Sequence, residues 1–412
     1  MNIRIAVVAA LLLSGCQTVG LVATKVSGTG DPAKDVAAVQ AAVDDGGTVL
    51  LAGRFDFGDR GRVVIRRSVT IAGEPGTVIQ GGFWTFFSPL PEALPVLPPG
   101  PRIAIRGIHF DGALWMPINI AHAGGLEVSG NRITNVRPHP YPRPNLPDLQ
   151  TMQGVMFGSF AAHADSTKRS YVPNAVTGRV VVVDNVIDIP APDPSHTLAQ
   201  GIWGVWTTGM EARIEGNRVS NVSRNAIEMI DNYLSADGKD RGRVIVANNT
   251  ITTPTVGVPV PTPRTPNGIV VGFFLDPAGG ADAARNSRYE VKGNQIETRG
   301  SSSLGIAVFS DGAQVRNNII SSTGADSSPI LMSSSNGLIA GNVFRGTGTS
   351  IVSLRPFREM TASGNRVTGN DLVQFKATTT QILFEKGTAK NSCEHNAGLE
   401  QVLNHGGENR CP

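Results

Sequence analysis

Apolar residues in this chain come in short, β-branched runs. VVIRRSVTIAG (63–73), RVVVVDNVIDI (179–189), RVIVANNTI (243–251) and GIAVF (305–309) are representative. None continues over about ten residues with the i, i+3, i+4 recurrence of a helix, so helical repeats do not fit. Between the runs a polar phrase returns: an Asn, a spacer, then an apolar or β-branched residue. It reads GNRIT at 130, DNVID at 184, GNRVS at 216, NNTIT at 248, GNQIE at 293, NNIIS at 317, GNVFR at 341 and GNRVT at 364. The Asn positions are 131, 185, 217, 249, 294, 318, 342 and 365, at intervals of 54, 32, 32, 45, 24, 24 and 23. Recurrence at such spacings marks stacked repeats. The LxxLxLxxN phrase of a leucine-rich repeat is absent. The shortest intervals suit coils of three short strands separated by tight bends, with loops inserted in the longer coils. The pattern predicts an all-β solenoid.

The Asn phrase reads as the bend. Asn tolerates left-handed backbone and can satisfy nearby main-chain groups with its amide. Gly precedes the Asn in five of the eight phrases and relaxes the same bend. Coils stacked about 4.8 Å apart would let the amides hydrogen-bond along the stack, which makes the array structural rather than catalytic. A second recurring element comprises GIWGVWT (201–207), AIEMID (226–231), GIVVGFF (268–274), GIAVFSD (305–311), PILMSS (329–334) and SIVSLRP (350–356). It predicts one long parallel face, with Ile202, Ile227, Ile269, Ile306, Ile330 and Ile351 as its inward column. Alternation then turns Trp203 and Glu228 outward.

A solenoid needs its ends covered. DPAKDVAAVQAAVDDGG predicts an amphipathic helix over 33–43, with Val36, Val39, Ala42 and Val43 on the first coil. AGLEQVLNHGG (397–407) predicts a second short helix with a Gly stop. It lies between Cys393 and Cys411, which an export compartment would allow to pair. Export is expected because MNIRIAVVAALLLSGC has one Arg and an apolar run too short to span a membrane. Leu13-Ser14-Gly15-Cys16 resembles a bacterial lipoprotein cleavage box. That resemblance implies a lipid on Cys16 and, with Gln17 following, an outer-membrane address. An ordinary signal peptide with an incidental Cys is the alternative. The expected division is a signal peptide over 1–15, a linker over 16–30, the solenoid over 31–390 and a disulfide-stapled cap over 391–412.

DVAAVQAAVDDGGTVLLAG (35–53), RSVTIAG (67–73) and GIHFDG (107–112) resemble the right-handed parallel β-helix superfamily of pectate lyases, polygalacturonases, alginate lyases and epimerases. The resemblance covers about residues 31–390. It implies a single-stranded, right-handed parallel β-helix with a short N-terminal helical cap, and a polysaccharide held in a groove along one face.

Net charge of +3 gives no reason to expect nucleic acid, and 40% hydrophobic residues suit a folded chain. Extra sequence gathers at 136–174, 190–200, 231–242, 254–267 and 275–288, where a ligand would sit. Trp203 and Tyr233 offer flat faces to a sugar ring. Glu228, Asp231 and Lys239 are the candidate catalytic groups, and Arg224 and Arg355 candidate substrate contacts. Two carboxylates would serve a glycosidase; a base with nearby positive charge would serve a uronate lyase. All five titratable groups also read as ordinary surface charge. Asp111 and Asp311, each before Gly, read as turn formers, with His109 adjacent. No metal-ligand phrase occurs; calcium is implied only by the resemblance. The expected function is an extracytoplasmic polysaccharide lyase or hydrolase. The alternative is a non-catalytic envelope lipoprotein that binds carbohydrate or acts as a scaffold. Oligomeric state is not legible.

Overall fold

A computed structural model describes residues 23–91, 97–141, 149–158, 175–194, 196–205, 210–230, 242–254, 266–273, 288–357 and 360–412. Within them the chain winds as a right-handed parallel β-helix. Each coil contributes one strand to each of three sheets, here called A, B and C in chain order. They contain 13, 11 and 12 strands among the described residues. The inward-facing residues of the three sheets form one continuous core. Parallel pairing fits strands this short because every neighbour arrives from the next coil, without a separate crossover element.

The A–B corner repeats most faithfully. Two residues connect Gly125–Ser129 to Arg132–Thr134, and two connect Met210–Glu215 to Arg218–Ser220. The second residue of each such bend is a buried ladder Asn. Asn217 shows the geometry: Nδ2 donates to Oδ1 of Asn249 at 3.0 Å and to the Val182 carbonyl at 2.9 Å. Its Oδ1 accepts from the backbone N and Nδ2 of Asn185 at 3.1 and 2.9 Å. Both donors and both lone pairs of the amide are used. The left-handed backbone falls one residue earlier than expected, on Gly130, Asp184, Gly216, Asn248, Gly293, Asn317 and Gly341. Only Gly, Asn and Asp fill those seven slots, the residues for which that conformation costs least.

The ladder also corrects the sequence reading at its last step. Asn342 pairs with Asn370, not Asn365, and Asn370 pairs with Asn396. Asn365 begins a second ladder, through Asn391 to Asn409, at the C–A corner. GNRVTGN contains both corners of one coil, because the intervening strand Arg366–Thr368 is only three residues long.

The N-terminal helix spans Pro32–Asp45 and buries Asp35, Val39, Ala42 and Val43. Asp31 caps it by accepting from the backbone of Ala33 and Lys34. Asp35 ties the helix to the first coil, accepting from Thr29, Gly30 and Asp56. The expected C-terminal helix does not form. Val402–Asn404 is instead a strand paired with Ile382–Phe384 in sheet C. The waiting edge satisfies its backbone, and this outweighs weak local helix preference. Cys393 and Cys411 are joined by a disulfide, with Cα atoms 4.7 Å apart.

Candidate functional site

Sheet C differs from A and B in what borders it. The longer connections, 89–101, 135–149, 158–177, 231–242, 253–266 and 274–287, all enter or leave a sheet C strand. The expected insertion over 136–174 is therefore two segments, divided by the sheet C strand Gln150–Phe157. The one expected over 190–200 ends earlier, because Thr197–Val205 is a strand.

The inward column of sheet C runs Val155, Ile202, Ile227, Ile269, Ile306, Ile330 and Val352. At the strand after Ile330 the column holds Val352 rather than Ile351, one residue further than the sequence suggested, and continues to Ile382. The outward column one residue on runs Met156, Trp203, Glu228, Val270, Ala307, Leu331 and Ser353. Trp203 and Glu228 are thus register partners on the outer face, as alternation requires. Neither is open: Trp203 is 7% and Glu228 2% exposed. Trp203 packs with Met116, Met156, Val205 and Ile230, so it is a wall rather than a bare platform. On the other side, Val270, Ala307, Phe309, Leu331 and Met360 form a second apolar cluster. Glu228 is the carboxylate between the two.

Its partners are two glutamines that the sequence reading missed. Gln200 Nε2 donates to Oε2 of Glu228 at 2.5 Å. Gln153 Nε2 donates to Oε1 of Gln200 at 3.0 Å. Among the described residues no second donor reaches the Glu228 carboxylate. Gln153 Oε1 and Asn119 Oδ1 are buried acceptors with no donor. The missed signal was the echo of QGVMFG (153–158) in QGIWGV (200–205), which puts Gln153 beside Gln200 in register.

The other sequence candidates separate. Arg224 is half-exposed at the start of the Glu228 strand; its backbone joins Ala199 and Asn267. Arg355 is exposed beyond Val352–Leu354, four strands along sheet C from Asn225–Ile230. At about 4.8 Å per coil that is roughly 19 Å. Asp231, Tyr233, Lys239 and Cys16 lie outside the described residues. Asp111 accepts from Thr134 and Asn135, and Asp311 from the Ser335 backbone, both as turn carboxylates. His109 lies on sheet B, bonded to Thr134 at 2.8 Å. Burial pushes its imidazole below the ordinary value, against the pull of Asp111. No group of three or more His, Cys, Asp or Glu among the described residues is arranged to hold a metal ion. No helix among them is long and apolar enough to cross a membrane.

Further along the same outer face lies a set of half-buried aromatic rings. Trp84 and Trp115 occupy successive coils with ring centroids 5.1 Å apart, and both pack against the Trp203 cluster. Phe83, Phe87 and His139 surround them.

Residues 200–397 match the family model described as "Right handed beta helix region". A comparison with curated proteins gives no match. Among solved structures, the chain is similar to the A-modules of two mannuronan C-5 epimerases of Azotobacter vinelandii. One is 15% identical, covering 92% of this chain and 93% of that one with a TM-score of 0.40. The other is 14% identical, covering 93% and 98% with a TM-score of 0.41. It is also similar to DFA-IIIase of Arthrobacter chlorophenolicus A6 without its lid: 12% identity, 90% and 93% coverage, TM-score 0.44.

Proposed function

We propose that this chain is a carbohydrate-active enzyme that cleaves or modifies a polysaccharide along the outer face of sheet C, with Glu228 as its acid–base group. The observation that carries the reading is the setting of Glu228. It is a buried carboxylate with one hydrogen-bond donor, between two apolar clusters, on the one sheet to which all the long connections attach. Burying such a group with so little compensation costs stability, of order 1–3 kcal/mol. Carboxylates kept in such settings are candidates for proton transfer. The free acceptors of Gln153 and Asn119 suit a ligand rich in hydroxyl donors, and Trp203 supplies the apolar wall beside them.

Two chemistries use these groups. In elimination, Glu228 takes the C5 proton beside a uronate carboxylate while Arg224 or Lys239 balances the developing charge, and the C4–O bond breaks with the departing oxygen taking a proton from water. In hydrolysis, Glu228 protonates the leaving oxygen as the glycosidic bond breaks, and Asp231 as second carboxylate delivers water to the anomeric carbon, directly as base or after a covalent intermediate. Arg355, four coils away, and Tyr233 would contact other sugar units. Export, a lipid on Cys16 and assistance from calcium complete the proposal and rest on sequence alone.

The test is turnover of pectate, alginate, hyaluronan and neutral glycans, with and without calcium, by the protein and its Glu228→Gln variant. New absorbance from unsaturated uronates identifies elimination; new reducing ends without it identify hydrolysis. Either activity should fall at least about a hundredfold in the variant. Activity that survives the substitution removes Glu228 from the mechanism. Binding without turnover favours the carbohydrate-binding alternative.

A further inference from the structure

The accessible aromatic surface on the sheet C side lies not at Trp203 but several coils earlier. Phe87 belongs to the same outward column as Asn119, Met156, Trp203 and Glu228. Four strand steps separate the Phe87 strand from the Glu228 strand, about 19 Å along the axis. Trp84 packs on Phe87 at 4.7 Å and on Trp115 at 5.1 Å, and His139 meets Trp115 edge-on at 4.4 Å. All four rings are half-buried.

Two features make this cluster unlike ordinary core. Trp84 and Trp115 both adopt left-handed backbone, with φ of 52° and 70°. A bulky side chain rarely takes that conformation, and such outliers concentrate where a side chain must be presented in one orientation. The second feature is a cation. The Arg62 guanidinium lies 4.5 Å from the Trp84 ring centroid and 5.1 and 5.3 Å from those of Phe83 and Phe87. It donates from Nε to the Phe83 carbonyl at 3.0 Å and forms no ion pair among the described residues. A half-buried cation without a carboxylate, over flat rings, is complementary to a flat ring that itself carries negative charge.

We propose that Arg62, Trp84 and Trp115 form a distal subsite for a pyranose unit bearing an anionic substituent, carboxylate or sulfate, of the same chain that reaches Glu228. The inference rests on the carbohydrate reading of sheet C and adds a second point of contact to it. Because the coil rise is close to the length of one sugar unit, a chain must be several units long to touch both.

The test is binding of length-graded oligosaccharides to the full chain carrying Glu228→Gln, which prevents turnover, by calorimetry and by tryptophan fluorescence. Oligogalacturonates, sulfated glycosaminoglycan fragments and neutral xylo-oligosaccharides are the probes. Affinity should rise with length until the chain spans about four coils. Adding Arg62→Gln or Trp115→Leu should weaken the long anionic probes about tenfold and leave short ones unchanged. Preference for carboxylate over sulfate, or the reverse, identifies the substituent. Trp84→Phe keeps an aromatic ring and should retain most of the affinity, which separates loss of contact from loss of fold. Length-independent affinity, or long-chain binding indifferent to both substitutions, overturns the distal subsite while leaving Glu228 in place. No binding of any probe by a folded protein overturns both readings.

Discussion

The A–B corner and the outer face of sheet C are built by the same coils and obey different rules. At the corner, the coils from Asn131 to Asn342 supply the same bend and the same buried Asn, and from Asn185 onward the same closed set of hydrogen bonds. On the outer face, one column passes from Met156 to Trp203, Glu228 and Val270 in four successive coils. The corner leaves no amide valence unused; the face keeps a carboxylate with one donor and acceptors with none. Repetition marks what every coil needs in order to stack, and departure from repetition marks what only one coil is asked to do.

The contrast can be broken from either side. The largest expected effect is on activity. Glu228→Gln should cut turnover by a hundredfold or more and raise the melting temperature rather than lower it, because the new amide still accepts from Gln200 and no charge is buried. Steady-state kinetics beside calorimetry checks both halves. The reverse is expected at the corner. Asn217→Ala removes the acceptor of the Asn185 backbone N–H, one acceptor of the Asn185 side-chain amide, and one donor each from Asn249 Oδ1 and the Val182 carbonyl, which should cost about 2–4 kcal/mol. Denaturant unfolding measures that loss, and activity per folded molecule should not change. Replacing Cys393 with Ser should cost about 3 kcal/mol or less, since the bridge closes a short loop; comparison of oxidised and reduced protein measures it.

The smallest effect concerns acid. On sheet A, burial alone would raise the Glu290 carboxyl, but Arg243, Lys292 and Arg316 hold it down at about 2. A depressed carboxyl contributes stability that is complete above its unfolded value, 4.5, and is lost as pH falls toward 2. Glu290→Gln should therefore flatten the stability profile between those values and lower stability at neutral pH, where the contribution is complete, by an amount reduced by the solvent exposure of the three cations. An equally steep acid limb in the variant would show that other groups set it.

Much of the scaffold was legible because it repeats. The Asn phrase, the inward Ile column through Ile330 and the helix before the first coil all follow from local rules applied coil after coil. The errors fall where one local pattern admits two meanings. GN at 364 and GN at 369 look alike, and only register tells that one turns from sheet C to A and the other from A to B. AGLEQVLN has weak helix character, but an unpaired edge at Ile382–Phe384 claims it. The site was less legible. Alternation gave the directions of Trp203 and Glu228, but burial of both depends on residues far apart in sequence, Met116 and Ile230 among them. Gln200 could have been found from its echo at Gln153. The left-handed Trp84 and Trp115 could not, since no local signal announces that conformation in an aromatic residue.

The most direct measurement is hydrogen exchange of the Glu228→Gln protein with and without a bound anionic oligosaccharide. Slower exchange confined to the sheet C strands from Phe86–Ser88 to Asn225–Ile230 and the segments beside them, with the ladder corner at 129–132, 215–218 and 292–295 unchanged, is the expected result. Protection at the corner, or none on sheet C despite measured binding, would contradict the division between a scaffold corner and a working face.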